Sequence, residues 1–121
     1  MMELLKDFPG NVVAVSSSGQ ITRDDYSKVL VPAVEKALAE NEKVRLYYQV
    51  GPDFSGMDPG AMWADTKVGM GHFLRWDKIA VVTDVEWMRM SIKGFGFLMP
   101  AEVQVFSIAD ASKAKEWVVA A

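Results

Sequence analysis

A chain of 121 residues, 50% hydrophobic and 24% charged, can bury one core and is too apolar to remain disordered. Its formal charge of -3, from 13 basic and 16 acidic residues in no polybasic block, excludes a general nucleic-acid binder and leaves at most transient membrane contact. Without cysteine there is no disulfide, thiolate nucleophile or thiolate metal site. The start "MMELLKDFPGN" lacks signal-peptide character and no run reaches the roughly 20 apolar residues of a membrane span, so the expected location is the cytoplasm.

In chain order, "MELL" reads as an edge strand, and "NVVAVSSSG" (11–19) as a strand running into a Ser/Gly turn. A helix is predicted next. Thr22 and Asp25 have capping-box spacing, and Tyr26, Leu30, Ala33 and Ala37 recur at helical intervals. Pro32 lies inside this pattern, lacks an N–H and crowds the carbonyl of Lys28, which predicts a kink or two shorter helices. "VRLYYQV" (44–50) is apolar enough for a central strand, and "GPDFSGMDPG" (51–60) is loop by its Pro and Gly content. A helix is predicted over 59–74 with Asp58 as N-cap and Pro59 in its first turn, then a strand over 78–84 and a helix over 85–98. "EVQVF" (102–106) is the last strand and "DASKAKEWVVA" (110–120) a capped final helix. Strands alternating with helices make one α/β domain over 1–121, with a mixed or mostly parallel sheet.

The helix over 85–98 is apolar on more sides than contact with one sheet requires. Met88, Ile92, Phe95 and Met99 form one stripe and Trp87, Ser91, Gly94 and Leu98 a second. A third carries Met90 and Phe97, and only Glu86, Arg89 and Lys93 form a narrow polar strip. Over 59–74, Met62, Gly69 and Phe73 share one stripe and Trp63, Met70 and Leu74 its neighbour. Three readings fit such wide arcs: ordinary core, a homodimer face, and a pocket for a nonpolar ligand between the two helices. Methionine, flexible and polarizable, suits all three.

Catalytic signals are weak. His72, the single histidine, has no cysteine partner, and the chain carries no G-x-S-x-G elbow, Walker motif or dinucleotide fingerprint. Asp53, Asp58 and Asp65 match no metal-loop spacing. The pattern argues against an enzyme, a resident metal and a cofactor.

The segments "SGQITRDDY", "FSGMDPGAMWADTKVGMGHF", "WDKIAVVTDVEW", "EVQVF" and "AKEWV", in this order, resemble the STAS domain and, more closely, the bacterial SpoIIAA-like family, named for the sporulation anti-anti-sigma factor. The resemblance implies a central mixed sheet of about five strands with about four helices packed mainly on one face, similar in shape to the CRAL-TRIO lipid-transfer fold. It further implies carriage of a nonpolar, fatty-acid- or isoprenoid-like ligand by the two middle helices, here 59–74 and 85–98. Met62, Trp63, Met70, Phe73, Trp87, Met88, Phe95 and Leu98 are the expected lining, with closure hinged near Gly69–Gly71 or Gly94–Gly96. The alternative function is a STAS-type regulatory module that binds another protein or a second copy of itself through the same surface. In anti-anti-sigma proteins a serine in an Asp-Ser motif after the central strand is phosphorylated. Here Ser55 is the corresponding hydroxyl, with Asp53 two residues before it rather than adjacent and with a longer loop.

Overall fold

The computed structural model describes residues 1–58, 60, 75–95 and 101–120, and for Met57 and Phe95 the backbone alone. Five strands form the main sheet: β1 (Met2–Leu4), β2 (Val12–Ser17), β4 (Val44–Val50), β6 (Trp76–Val82) and β7 (Glu102–Phe106), in the spatial order β1-β2-β4-β6-β7. β1 is antiparallel to β2, and every other pairing is parallel. The register runs Ser16 opposite Gln49, Gln49 opposite Val82 and Val82 opposite Phe106, with one irregularity where Val44 and Arg45 pair across to Trp76 and Lys78.

Parallel strands must be buried on both faces, and side chains alternate between those faces. Val13, Val15, Tyr48 and Val50 accordingly join one apolar cluster with Ile21, Tyr26, Leu30, Val34, Leu38 and Met88. Val12, Ala14, Tyr47, Ala80 and Val82 join the other, with Ala114 and Val118. The first face carries the helix between β2 and β4 and α3 (Glu86–Phe95), and the second carries α4 (Ala111–Val119). This is the expected mixed five-stranded fold with helices mainly on one face. The described residues hold three long helical segments; the fourth expected one, over 59–74, lies outside them apart from the helical Gly60.

The first helical segment is divided as Pro32 foretold. It begins as a short turn, α1 (Arg23–Asp25), widens into a π-helical turn over Tyr26–Leu30 and continues as α2 (Val31–Glu40), with Pro32 in the first turn of α2. A π turn moves each donor one residue further along, and the Val31 N–H accordingly bonds the Tyr26 carbonyl. The capping box is present: the Asp25 N–H donates to the Thr22 hydroxyl at 3.3 Å, and the Thr22 N–H donates to the Asp25 carboxylate at 2.8 Å. The final helix differs from its prediction. Asp110 makes no side-chain cap; its carboxylate accepts from the Ser107 hydroxyl at 3.2 Å, and a 3-10 turn (Ile108–Asp110) leads into α4 instead. The loop after β4 also contains an unforeseen element. β3 (Gln20–Ile21) pairs in parallel with β5 (Gly56–Met57), a two-residue bridge too short to leave a periodic signal.

Helix ends are held by cations reaching from elsewhere, since neither α2 nor α4 has a basic residue in its last turn. Arg75 donates to the carbonyls of Leu38 (2.9 Å), Asn41 (2.8 Å) and Glu42 (2.9 Å) beyond and within the end of α2. Arg45 donates to the Val118 carbonyl at 2.9 Å and to Ala120, while its Nε meets the Asp77 carboxylate at 2.8 Å. Lys78 reaches the Trp117 and Ala120 carbonyls and sits 5.2 Å from the centre of the Trp117 ring. β4, β6 and the end of α4 are thus tied at one point.

Replacing Arg45 by Ala removes three charge-assisted hydrogen bonds and is expected to lower unfolding free energy by about 2 kcal/mol in a denaturant titration. Arg45→Lys, which keeps the charge but not the fork, is expected to restore only part of it. The Asp25 carboxylate is subject to desolvation, which raises its pKa, but the Thr22 N–H and hydroxyl, the N-terminal ammonium and the Met2 N–H together outweigh this and hold it below the usual 3.8. The folded state therefore gains stability from Asp25 above that value and loses it as pH falls below about 4, through the lower folded pKa. Thr22→Ala, at a cost of about 1 kcal/mol, is expected to flatten that part of the stability–pH curve.

Candidate ligand site on the α3 face

α3 starts after a turn in which the Val85 N–H donates to the Thr83 hydroxyl at 3.0 Å, and it points different side chains at different surroundings. Met88, 8% exposed, lies in the apolar cluster on the sheet, with Val85 packed beside it and Ile92 half-buried one turn on. Trp87 and Met90, in contrast, are 53% and 67% exposed, and Ser91 and Gly94 continue their exposed side. Arg89 differs from Glu86 and Lys93, its exposed neighbours on the polar strip. It is half-buried and donates to the Thr83 carbonyl at 2.9 Å, covering a strand end that α3 would otherwise leave open.

The wide apolar arc is therefore two surfaces. One stripe is core. The other, with the indole and a thioether, stands in solvent on a helix whose inner side is already satisfied. The indole is not isolated: its ring centre lies 6.2 Å from that of Phe54, tilted by 45°, within the range of favourable aromatic pairs.

Phe54 is brought there by the loop after β4. The Gly51 N–H donates to the Ser17 carbonyl at 2.9 Å, and the Phe54 N–H to the Gly51 carbonyl at 3.2 Å. The Ser55 N–H then bonds the Gly19 carbonyl at 2.9 Å and the Asp58 N–H that of Ile21 at 3.0 Å, flanking the β3–β5 bridge. Space at Gly51 is tight. A Cβ there would lie 3.1 Å from the Asp53 carboxylate and 3.3 Å from the Ser17 carbonyl. Phe54 is half-buried against the sheet-side cluster, while Ser55 is exposed at the loop surface.

Of the residues expected to line a pocket, Trp87 is at the exposed rim and Met88 is in the packed layer beneath. The backbone of Phe95 closes α3. Met62, Trp63, Met70, Phe73 and Leu98 lie outside the described residues, as do Gly69, Gly71, Gly96, His72 and Asp65. Phe54 was not among the expected lining residues. Its placement depends on the backbone bonds of Gly51 and Ser55 to β2 and its exit, which leave no pattern in the sequence.

On the same face of the sheet lie buried hydroxyl groups. The Tyr26 and Tyr48 hydroxyls are hydrogen-bonded to each other at 3.0 Å. One row towards the carboxyl ends of the strands, Ser17 and Thr83 are 1% and 0% exposed. Among the described residues no group of three or more His, Cys, Asp or Glu is placed to hold a metal ion, and no helix is long and apolar enough to cross a membrane.

The profile of the SpoIIAA-like family matches residues 12–119, all but the two ends of the chain. None of the curated proteins compared matches it. Among solved structures, the crystal structure of an uncharacterized protein from the DUF3478 family of Shewanella loihica PV-4, with a SpoIIAA-like fold, superposes with a TM-score of 0.74. The two share 21% identity over 98% of this chain and 92% of the other, a likeness of fold. Through the parallel strands in sequential order, the helices on one main face and a family match reaching from β2 to α4, the chain belongs to the SpoIIAA-like family and is a STAS-type module.

Proposed function

We propose that this protein binds a small nonpolar, lipid-like molecule on the α3 side of its sheet, between the two middle helices (59–74 and 85–98), without catalysing a reaction on it. The observation that carries the reading is the split of α3: Trp87 and Met90 stay exposed while Met88, between them in sequence, fills the core. An exposed indole paired with Phe54 over the loop after β4 offers apolar contact that the fold itself does not use. Each methylene of a ligand taken from water by such a surface contributes about 0.8 kcal/mol, so a chain of modest length suffices for useful affinity. The remaining lining would come from Met62, Trp63, Met70, Phe73, Phe95 and Leu98. The exposed arc of α3 through Met90, Gly94, Trp87 and Ser91 carries no charged side chain, which fits a neutral, apolar cargo in the cytoplasm.

A second reading is supported by Ser55. Its exposed hydroxyl stands one residue from Phe54, so phosphate there would place about two negative charges beside the exposed aromatic surface. A regulatory protein contact through that surface, controlled at Ser55, is the alternative.

The two separate by native mass spectrometry of protein purified without detergent, with extraction and identification of whatever denaturation releases. The expected result is a monomer carrying one apolar adduct. Trp87→Asp, on the exposed side, is expected to keep the far-UV circular dichroism spectrum and reduce adduct occupancy about tenfold, the equivalent of 1.4 kcal/mol. Met88→Asp buries a charge in the core and is expected to unfold the protein. A bare monomer that takes up nothing from a lipid extract would overturn the carrier reading. A dimer mass abolished by Trp87→Asp would assign the surface to self-association.

A further inference from the structure

Two buried polar side-chain atoms have no hydrogen-bond partner among the described residues, the Ser17 hydroxyl and the Trp76 indole N–H. A buried hydroxyl without a partner is costly, and native proteins keep few of them unless a water, an ion or a functional role answers for them. The place of Ser17 points to a functional role. It is the last residue of β2, opposite both Met2 and Val50, and both neighbours belong to the cluster beneath the helices. Its side chain therefore points to the α2 and α3 face, at the carboxyl end of the parallel strands. Thr83, directly after β6, carries the next hydroxyl of the same row; it accepts from the Val85 N–H and retains its own proton to donate. The Ser17 carbonyl, through Gly51, also holds the loop that presents Phe54 to Trp87.

We infer that the ligand of the α3 face is an amphiphile, with an uncharged hydroxyl or carbonyl head that hydrogen-bonds the buried Ser17 hydroxyl at the carboxyl end of β2. This rests on the carrier reading and adds to it the class of head group. A pure hydrocarbon would leave Ser17 as it is. An anionic head is disfavoured by its surroundings: the Asp53 carboxylate lies against Gly51, next to the Ser17 carbonyl. The Arg89 guanidinium bonds the Thr83 carbonyl at the end of β6, two strands away from the Ser17 end of β2. The Met1 ammonium nearby is bonded to the Ser18 and Gln20 carbonyls and has Asp25 at 3.7 Å. A neutral head needs none of these charges, because a hydroxyl can both donate to and accept from it. Trp76, the other orphan, starts β6 at the opposite end of the sheet and can only donate.

The test compares decanol, decanoate as its anion at neutral pH, and n-decane, with calorimetry for the first two and headspace partitioning for the alkane. Wild-type protein is expected to bind decanol more tightly than decanoate. Ser17→Ala is expected to weaken decanol about tenfold, the loss of one buried hydrogen bond, and to leave decane unchanged. Its melting temperature should hold or rise, because the substitution removes an orphan hydroxyl rather than a packed group. Trp76→Phe is expected to leave the ratio of decanol to decane affinity as it was. The inference is overturned if Ser17→Ala alters decanol and decane alike or neither, if decanoate binds best, or if the ratio moves with Trp76→Phe alone. Binding of decane with no response of decanol to Ser17→Ala sinks the head-group assignment and spares the carrier reading. Failure of all three probes to bind sinks both.

Discussion

The order in which the parallel strands are laid down constrains everything else in this molecule. β2, β4, β6 and β7 follow one another across the sheet in chain order, and right-handed crossovers put α2, between β2 and β4, and α3, between β6 and β7, on the same face. The other face is covered by α4, after the last strand, with the Phe8–Tyr47 and Phe106–Trp117 ring pairs filling its flanks. Among the described residues that face thus carries one helix, fastened by Arg45 and Lys78. The first face is covered by separate helices joined through loops, and there the unused apolar side chains and buried hydroxyls occur.

That asymmetry connects fold to proposed function. A helix fixed at its end by two cations from two strands is poorly placed to move aside for a guest. α3 is held differently: Met88 packs inward, Arg89 holds one strand end, and the Trp87 side rests against a loop rather than a strand. The loop in turn hangs from β2 and its exit through the carbonyls of Ser17, Gly19 and Ile21. Strand ends, loop and helix flank therefore form one mechanical unit at the carboxyl edge of the sheet, where a molecule bound beneath would touch all three.

Much of the architecture was legible in the chain because local chemistry and periodicity agree there. "VRLYYQV" and "EVQVF" became strands with the expected bounds, and Thr22 and Asp25 made both bonds of their capping box. Pro32 marked the helix division because a missing N–H has only a few local remedies. The β3–β5 bridge, the Arg45 and Arg75 contacts and the Phe54–Trp87 pair were not legible, since each joins residues far apart in sequence without a repeating pattern. The stripes of α3 could be listed but not assigned, as hydrophobicity alone does not distinguish a side chain that packs from one that waits. Nor did the polar strip of Glu86, Arg89 and Lys93 show that Arg89 turns to the Thr83 carbonyl. The serines of "SSSG" looked like turn residues, yet Ser16 and Ser17 are in the strand, and the hydroxyl of Ser17 matters because of what surrounds it.

The π turn at Tyr26–Leu30 has a consequence for how this chain can vary in length. It holds one residue more than an α-helical turn would, with the Val31 N–H meeting the Tyr26 carbonyl five residues back. Deleting a single residue there would return the turn to ordinary α-helix, with that carbonyl met four residues on. The segments on either side would keep their facing, Tyr26 toward the Tyr48 hydroxyl and Val34 toward the sheet. A gap of one in this segment is therefore absorbed where it falls, and a relative carrying it can still use a tyrosine to meet Tyr48.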